Sequence, residues 1–171
     1  MIDHFKEFEI KSLDDNIFSL LDSEWMLITA GNINSLNTMT ASWGGFGILW
    51  NMPVAFIFIR PQRYTLKFVE NKEIFTLSFF EEKYREILNY CGSKSGKDVD
   101  KIAETRLDPV ETAKGGIFFN QSRLMIECRK IYCDRIKPEN FNDSEIEEKI
   151  YRNKDYHHLF IGEIITCMKR I

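Results

Sequence analysis

Residues Pro53-Val54-Ala55-Phe56-Ile57-Phe58-Ile59 are apolar at every position, so a strand here has no face to offer water. Such a strand has to be covered on both sides, at the centre of a layered or closed sheet. Pro53 stands at its start, where a missing N–H is tolerated. Before it runs a hydroxyl-rich, glycine-ended stretch, Asn37-Thr38-Met39-Thr40-Ala41-Ser42-Trp43-Gly44-Gly45, followed by a turn. After it comes a doubly basic turn, Arg60-Pro61-Gln62-Arg63-Tyr64-Thr65, which opens a helix. That order puts small hydroxyls and backbone N–H groups on one side of a buried strand and two guanidinium groups at its end. A flat polar ring carrying a phosphate has matching chemistry.

The rest of the chain alternates short strand patterns with short helical ones. Ser12-Leu13-Asp14-Asp15 reads as a capping box for a helix with Ile17, Leu20 and Leu21 on its apolar side. Residues 25–30 read as a strand with a turn over 31–35, and 38–43 as a second strand. A helix is expected over 64–71 and a strand over 73–79. Ser78-Phe79-Phe80-Glu81 repeats the capping-box pattern ahead of the stripe Tyr84, Ile87, Leu88 and Cys91. Ser95 with Asp98 can cap a further helix carrying Val99, Ile102 and Ala103. Strands are expected over 117–119, 124–133 and 159–168, the last interrupted by Gly162, with a polar excursion of one or two helical turns over 137–151. Many strands with a few helices between them predict a single domain, residues 1–171, mainly β with short helices, folded as a closed or nearly closed barrel.

Bulk properties remove several function classes. The 171 residues carry a formal net charge of −3, with basic side chains scattered among acidic ones, so no nucleic-acid partner is expected. The longest apolar run is far short of a membrane span, and residues 1–7 show no apolar signal region, which predicts a cytoplasmic protein without membrane contact. Cys91, Cys128, Cys133 and Cys167 form no Cys-x-x-Cys pair and have no histidine at zinc-site spacing, so free thiols and no metal are expected. The loop Gly92-Ser93-Lys94-Ser95-Gly96-Lys97 is not a phosphate loop of the Walker type, because Cys91 and Asp98 occupy the positions that need Gly and Ser or Thr. No nucleophile with a paired base stands out. His157 and His158 are adjacent and point to opposite faces of a strand, so they cannot share a metal, and His157 is left with a hydrogen-bonding or titrating role.

Four stretches together resemble one family. They are Asn37 to Gly45, Arg60 to Thr65, Cys91-Gly92-Ser93-Lys94-Ser95-Gly96-Lys97-Asp98, and Phe160-Ile161-Gly162-Glu163-Ile164, in order along nearly the whole chain. The chain is similar to the flavin reductase-like, FMN-binding split-barrel proteins, in particular their flavoredoxin-like subgroup. The resemblance implies a split-barrel homodimer that holds FMN non-covalently near the subunit interface. Asn37, Thr38, Met39, Thr40, Ala41, Ser42 and Trp43 would line the isoalloxazine, and Arg60, Arg63, Tyr64 and Thr65 the phosphate side. Ser93, Lys94, Ser95 and Gly96 would close over the cofactor. Reductases of the family often carry Asp-His before the last strand, where nicotinamide approaches; here His157 fits, while Tyr156 stands in the Asp position and Asp155 one place earlier. The resemblance therefore implies an FMN-dependent oxidoreductase with NADH or NADPH as a transient substrate. An FMN electron carrier reduced by a redox partner protein is the alternative.

Overall fold

The computed structural model describes residues 4–171, so the reading of the N-terminal stretch lies partly outside the described residues. Among the described residues are ten strands: β1 (Phe5–Glu7), β2 (Met26–Asn32), β3 (Ser35–Ala41), β4 (Gly44–Leu49), β5 (Met52–Ile59), β6 (Ile74–Phe79), β7 (Pro109–Glu111), β8 (Ile117–Phe119), β9 (Leu124–Arg135) and β10 (His158–Arg170). Five short α-helices join them: α1 (Ile17–Ser19), α2 (Thr65–Asn71), α3 (Arg85–Ser93), α4 (Lys101–Thr105) and α5 (Ser144–Ile150). The main sheet is antiparallel throughout, in the order β3-β2-β6-β9-β10-β5-β4, with β1 paired to the far end of β10. β7 and β8 form a separate two-stranded ribbon.

The apolar alternation coils this sheet. Met26 and Ile28 from β2, Ile57 and Ile59 from β5, Phe75, Leu77 and Phe79 from β6, Ile126 from β9 and Phe160 from β10 belong to one buried cluster, which a flat sheet could not assemble. Phe46 of edge strand β4 reaches Phe79 across the interior, with ring centres 6.4 Å apart. Burying each such phenylalanine contributes about 1.5–3 kcal/mol, so the interior aromatics are a main source of stability. The barrel remains split, because β3 and β4 are both edges; the chain steps from one to the other through Ser42 and Trp43 alone. This is the split barrel expected from the sequence.

Strand β10 needs a glycine to lie flat on the core. At Gly162 its pairing with β9 shifts register, and a Cβ there would stand 2.6 Å from Phe75 Cζ and 2.7 Å from Cys128 Cβ. All four cysteines are free, with Cys133 exposed and the others buried, as anticipated. No helix among the described residues is long and apolar enough to cross a membrane.

Several boundaries differ from the sequence reading, each for a local reason. Ser12 does not cap α1; its hydroxyl donates to Glu9 O at 2.8 Å and closes a separate turn, while Asn16 accepts from Phe18 N and Ser19 N. Ser78 is mid-strand, paired with Leu27 and Met125, and cannot cap anything. Ser95 serves the turn before α4, accepting from Lys97 N, and Asp100 caps the helix by accepting from Ile102 N and Ala103 N. β2 continues through Gly31 and Asn32, which were expected to turn, and α3 runs on to Ser93. β4 was read as a turn because Gly44, Gly45 and Gly47 hide its alternation, and the three-residue strands β1 and β7 are too short to show any.

Candidate functional site

The residues singled out in the sequence converge beside the split. β3 and the Ser42–Trp43 crossing supply one wall, and the end of β5 with the turn into α2 supplies the floor. The C-terminal end of α3 and the loop after it face them, and His157 stands just ahead of β10. Two adjoining cavities result. The smaller, about 180 Å³, is lined by Met39, Thr40, Ala41, Ser42, Trp43, Phe58, Arg60, Arg63 and His157. The larger, about 370 Å³, is lined by Met39, Arg60, Gln62, Arg63, Tyr64, Thr65, Ser93, Lys94, Ser95, Gly96 and Lys101. Met39, Arg60 and Arg63 border both, so the two form one bent space.

Asn37 and Thr38 line neither cavity. Asn37 is buried and its Nδ2 donates to Thr65 Oγ1 at 2.7 Å, tying β3 to the start of α2. Thr38 is fully buried, with its hydroxyl turned to Thr29 Oγ1 and Ile28 O. The loop reaches β3 at Gly96, where a Cβ would lie 1.9 Å from Asn37 Oδ1, so only glycine lets it come this close. Beyond that contact is a bigger surface cavity of about 530 Å³ between the β2–β3 turn and α4. It mixes Lys97 and Lys101 with Asp98 and Asp100, and so lacks the one-sided charge of its neighbour.

Charge separates the cations into two kinds. Arg60 is compensated: its guanidinium forms an ion pair with Asp155, donates to Ile150 O at 3.1 Å, and lies over the Tyr151 ring. Gln62 Nε2 also donates to Asp155, at 2.8 Å, and the hydrogen bonds from Arg60 and Gln62 hold that carboxyl below its ordinary range. Arg63 and Lys101 have no carboxylate partner among the described residues. Arg63 donates to Gly92 O at 2.5 Å, and burial followed by the charge of Arg60 lowers its pKa. Lys101 is 4% exposed; its Nζ donates to Thr38 O at 2.8 Å and Cys91 O at 2.7 Å. Burial pulls its ammonium down to about 8, with Arg63 adding to the drop. Two half- to fully buried cations facing one cavity without an anion form a donor set for a phosphate, whose dianion would supply the missing charge.

His157 closes the smaller cavity. Its ring lies 5.1 Å from that of Trp43 and 6.4 Å from that of Phe58, and its Nδ1 is 2.8 Å from Tyr151 Oη. Burial, and then Arg60, push the imidazole down to about 4, so it is neutral at pH 7. Tyr156 turns its hydroxyl away to Glu147. His158 faces the other side of the strand, near Glu70. Among the described residues no group of three His, Cys, Asp or Glu side chains is disposed to hold a metal.

Lys101, Asp155 and Tyr151 were not singled out as site residues from the sequence. One signal was available for Lys101. It stands in the first helical turn after the Asp100 cap, where a cation opposes the helix dipole and so calls for a separate reason. Tyr151 ends the polar excursion and Asp155 lies just beyond it, and nothing in their spacing points to residues ninety positions earlier.

The family model described as "Flavin reductase like domain" matches residues 18–170. No curated protein matches the chain. Among solved structures, an FMN-binding domain of a flavin reductases-like enzyme from Shewanella baltica OS155 superposes with a TM-score of 0.70 at 17% identity, covering 97% of this chain and 77% of that one. Flavoredoxin of Desulfovibrio vulgaris (Miyazaki F) gives 0.66 at 23% identity, with 95% and 77% covered. An NADH:FAD oxidoreductase of Streptomyces globisporus C-1027, in complex with NAD and FAD fragments, gives 0.64 at 17% identity, with 85% and 74% covered.

Proposed function

The chain belongs to the flavin reductase-like domain family, and on that premise we propose that it holds FMN non-covalently across the two cavities and works as an FMN-dependent oxidoreductase. The observation that carries the reading is the pair of uncompensated cations, Arg63 and Lys101, on the larger cavity. Their charge suits the phosphate of FMN. Tyr64, Thr65, Ser93, Lys94, Ser95 and Gly96 complete that wall with hydroxyl, ammonium and backbone groups. Met39, Thr40, Ala41, Ser42 and Trp43 would flank the ring, next to the outer edge of β3, whose N–H and C=O groups no further strand takes. Asn37 and Thr38 act from behind, fixing α2 and Lys101.

When bound, FMN supplies two-electron chemistry at N5, with a reduced nicotinamide as the hydride source. The chain's own part is to bind and orient. Arg60, held by Asp155, keeps the excursion against the ring pocket, and Trp43 and His157 narrow the pocket mouth. The likeness to an NADH:FAD oxidoreductase supports a nicotinamide donor. The second reading, a carrier reduced by a partner protein, is favoured by one observation: Asp155 is committed to Arg60 and Tyr156 to Glu147, so neither touches His157. We further propose a homodimer, for which the exposed apolar residues Ile48, Trp50 and Tyr132 are suitable contacts.

An anaerobic visible spectrum of FMN-loaded protein tests the proposal. Flavin bands that bleach with NADH or NADPH support the reductase, and bands that bleach only with dithionite support the carrier. Failure to retain or take up FMN refutes both.

A further inference from the structure

Tyr151 is 5% exposed and makes one side-chain hydrogen bond, to His157 Nδ1 at 2.8 Å. It is walled in by Tyr156, stacked with ring centres 5.0 Å apart, by Phe141 at 5.9 Å, and by the Arg60 guanidinium over its face. A neutral phenol carries one proton, and here that proton has a single acceptor within reach. Were Nδ1 the protonated nitrogen, the Tyr151 hydrogen would be buried without a partner, a cost of about 1–3 kcal/mol. The accounting therefore puts the phenol proton on the Tyr151–Nδ1 line and the imidazole proton on Nε2. Nε2 makes no hydrogen bond among the described residues, and His157 lines the smaller cavity beside Trp43 and Phe58.

We infer that Tyr151 is a positioning residue that locks His157 in the Nε2–H tautomer, so that the smaller cavity offers a neutral N–H donor between aromatic walls and takes a ligand through an uncharged carbonyl or carboxamide oxygen. The charged groups facing His157 are Arg60, Arg63 and Asp155. The first two oppose its protonation and Asp155, already engaged by Arg60, does not restore it; the donor is thus constant between pH 5 and 8. Such an oxygen can belong to the carboxamide of a nicotinamide or to a small carbonyl acceptor such as a quinone. For the ligand's redox role the inference rests on the flavin reading above, but the tautomer does not.

The test is nitrogen-15 NMR of the histidine side chains, with and without FMN; the chain has three histidines, and His157 is assigned by its loss in His157→Gln. At pH 7 the expected spectrum shows a protonated Nε2 and an unprotonated, hydrogen-bonded Nδ1. In Tyr151→Phe the Nδ1 resonance moves downfield towards a bare acceptor nitrogen. Nicotinamide and duroquinone are then titrated into oxidised, FMN-loaded protein. One or both should shift the Nε2–H resonance saturably, and which one does so identifies the source of the oxygen. Tyr151→Phe should bind that probe about threefold to tenfold more weakly. His157→Gln, which keeps an N–H donor, should bind it better than His157→Leu. A protonated Nδ1, a Tyr151→Phe spectrum identical to wild type, or no response to either probe overturns the inference. Failure to bind FMN refutes the proposed function and leaves the tautomer result standing.

Discussion

Replacing Lys101 with methionine tests the phosphate assignment, because the buried ammonium gives the effect a definite sign and an expected size. The ammonium is buried against two carbonyls with Arg63 nearby, and its pKa in the folded protein is about 8, against an ordinary lysine value of 10.5. Between these values the unfolded chain binds a proton that the folded chain has released, so the stability of the flavin-free protein rises with pH across that window. The rise is roughly 3 kcal/mol, and the penalty is fully present below pH 8. Binding of a dianionic phosphate reverses the preference and requires the ammonium. FMN affinity is therefore flat from pH 7 to 8 and falls about tenfold for each further pH unit, as a proton has to be taken up.

In Lys101→Met both pH dependences vanish. A hydrogen bond to a charged group contributes about 1.5–3 kcal/mol, so FMN should bind roughly ten- to a hundredfold more weakly at pH 7. Quenching of flavin fluorescence measures the affinity from pH 7 to 10, and urea unfolding of the flavin-free protein measures the stability. The difference between wild type and variant is the quantity that counts, because it isolates the part due to Lys101. A wild-type affinity flat to pH 10, or the same slope in the variant, would refute the assignment of Lys101 to the phosphate.

Two further predictions concern stability and assembly. Gly162→Ala drives a methyl into Phe75 and Cys128, and overpacking of this kind costs about 1–3 kcal/mol, read as a lower Tm; an unchanged Tm would mean that β10 shifts freely. Trp50 and Asn51 turn β4 into β5 with φ of 50° and 61°, a left-handed pair that favours Asn over Trp. Trp50→Asn should therefore keep or raise monomer stability by up to about 1 kcal/mol while weakening the proposed dimer at least tenfold in sedimentation; an unaffected dimer places the interface elsewhere.

How much was legible in the sequence depended on whether a residue's reason was local. The both-face apolar run at 54–59 became β5, sandwiched between β10 and β4, and the stripe from Tyr84 to Cys91 became α3, because period and burial agree there. The family resemblance implied that Arg63, Tyr64 and Thr65 share a cofactor with Ser93 to Gly96, and the structure does bring them to one cavity. Arg60 shows the limit. Its spacing from Arg63 suggests two equivalent phosphate ligands, yet Asp155, remote in sequence, neutralises one and leaves the other. The three expected serine caps failed for a related reason: the pattern of a capping box is satisfied by any serine near an acid, and the backbone around it decides whether an N–H is free to receive the bond.

The split in the barrel and the placement of the cations follow from the same step in the chain. β3 and β4 are consecutive and joined by two residues, the length that pairs β2 with β3 and β4 with β5, yet the chain crosses at Ser42 and Trp43 and leaves them on opposite edges of the sheet. Two edges are thereby left with unused backbone groups, and the chain covers one of them with α3 and the loop after it. Lys101 is part of that cover: its Nζ donates to Thr38 O, a carbonyl to which a neighbouring strand's N–H would otherwise have donated, and in doing so brings a charge into the cavity. A closed barrel would have satisfied that carbonyl with an amide and had no cation to place. The edge that fails to pair is the edge that acquires a binding site, and the cost is a buried ammonium that the flavin-free protein holds at a pKa near 8.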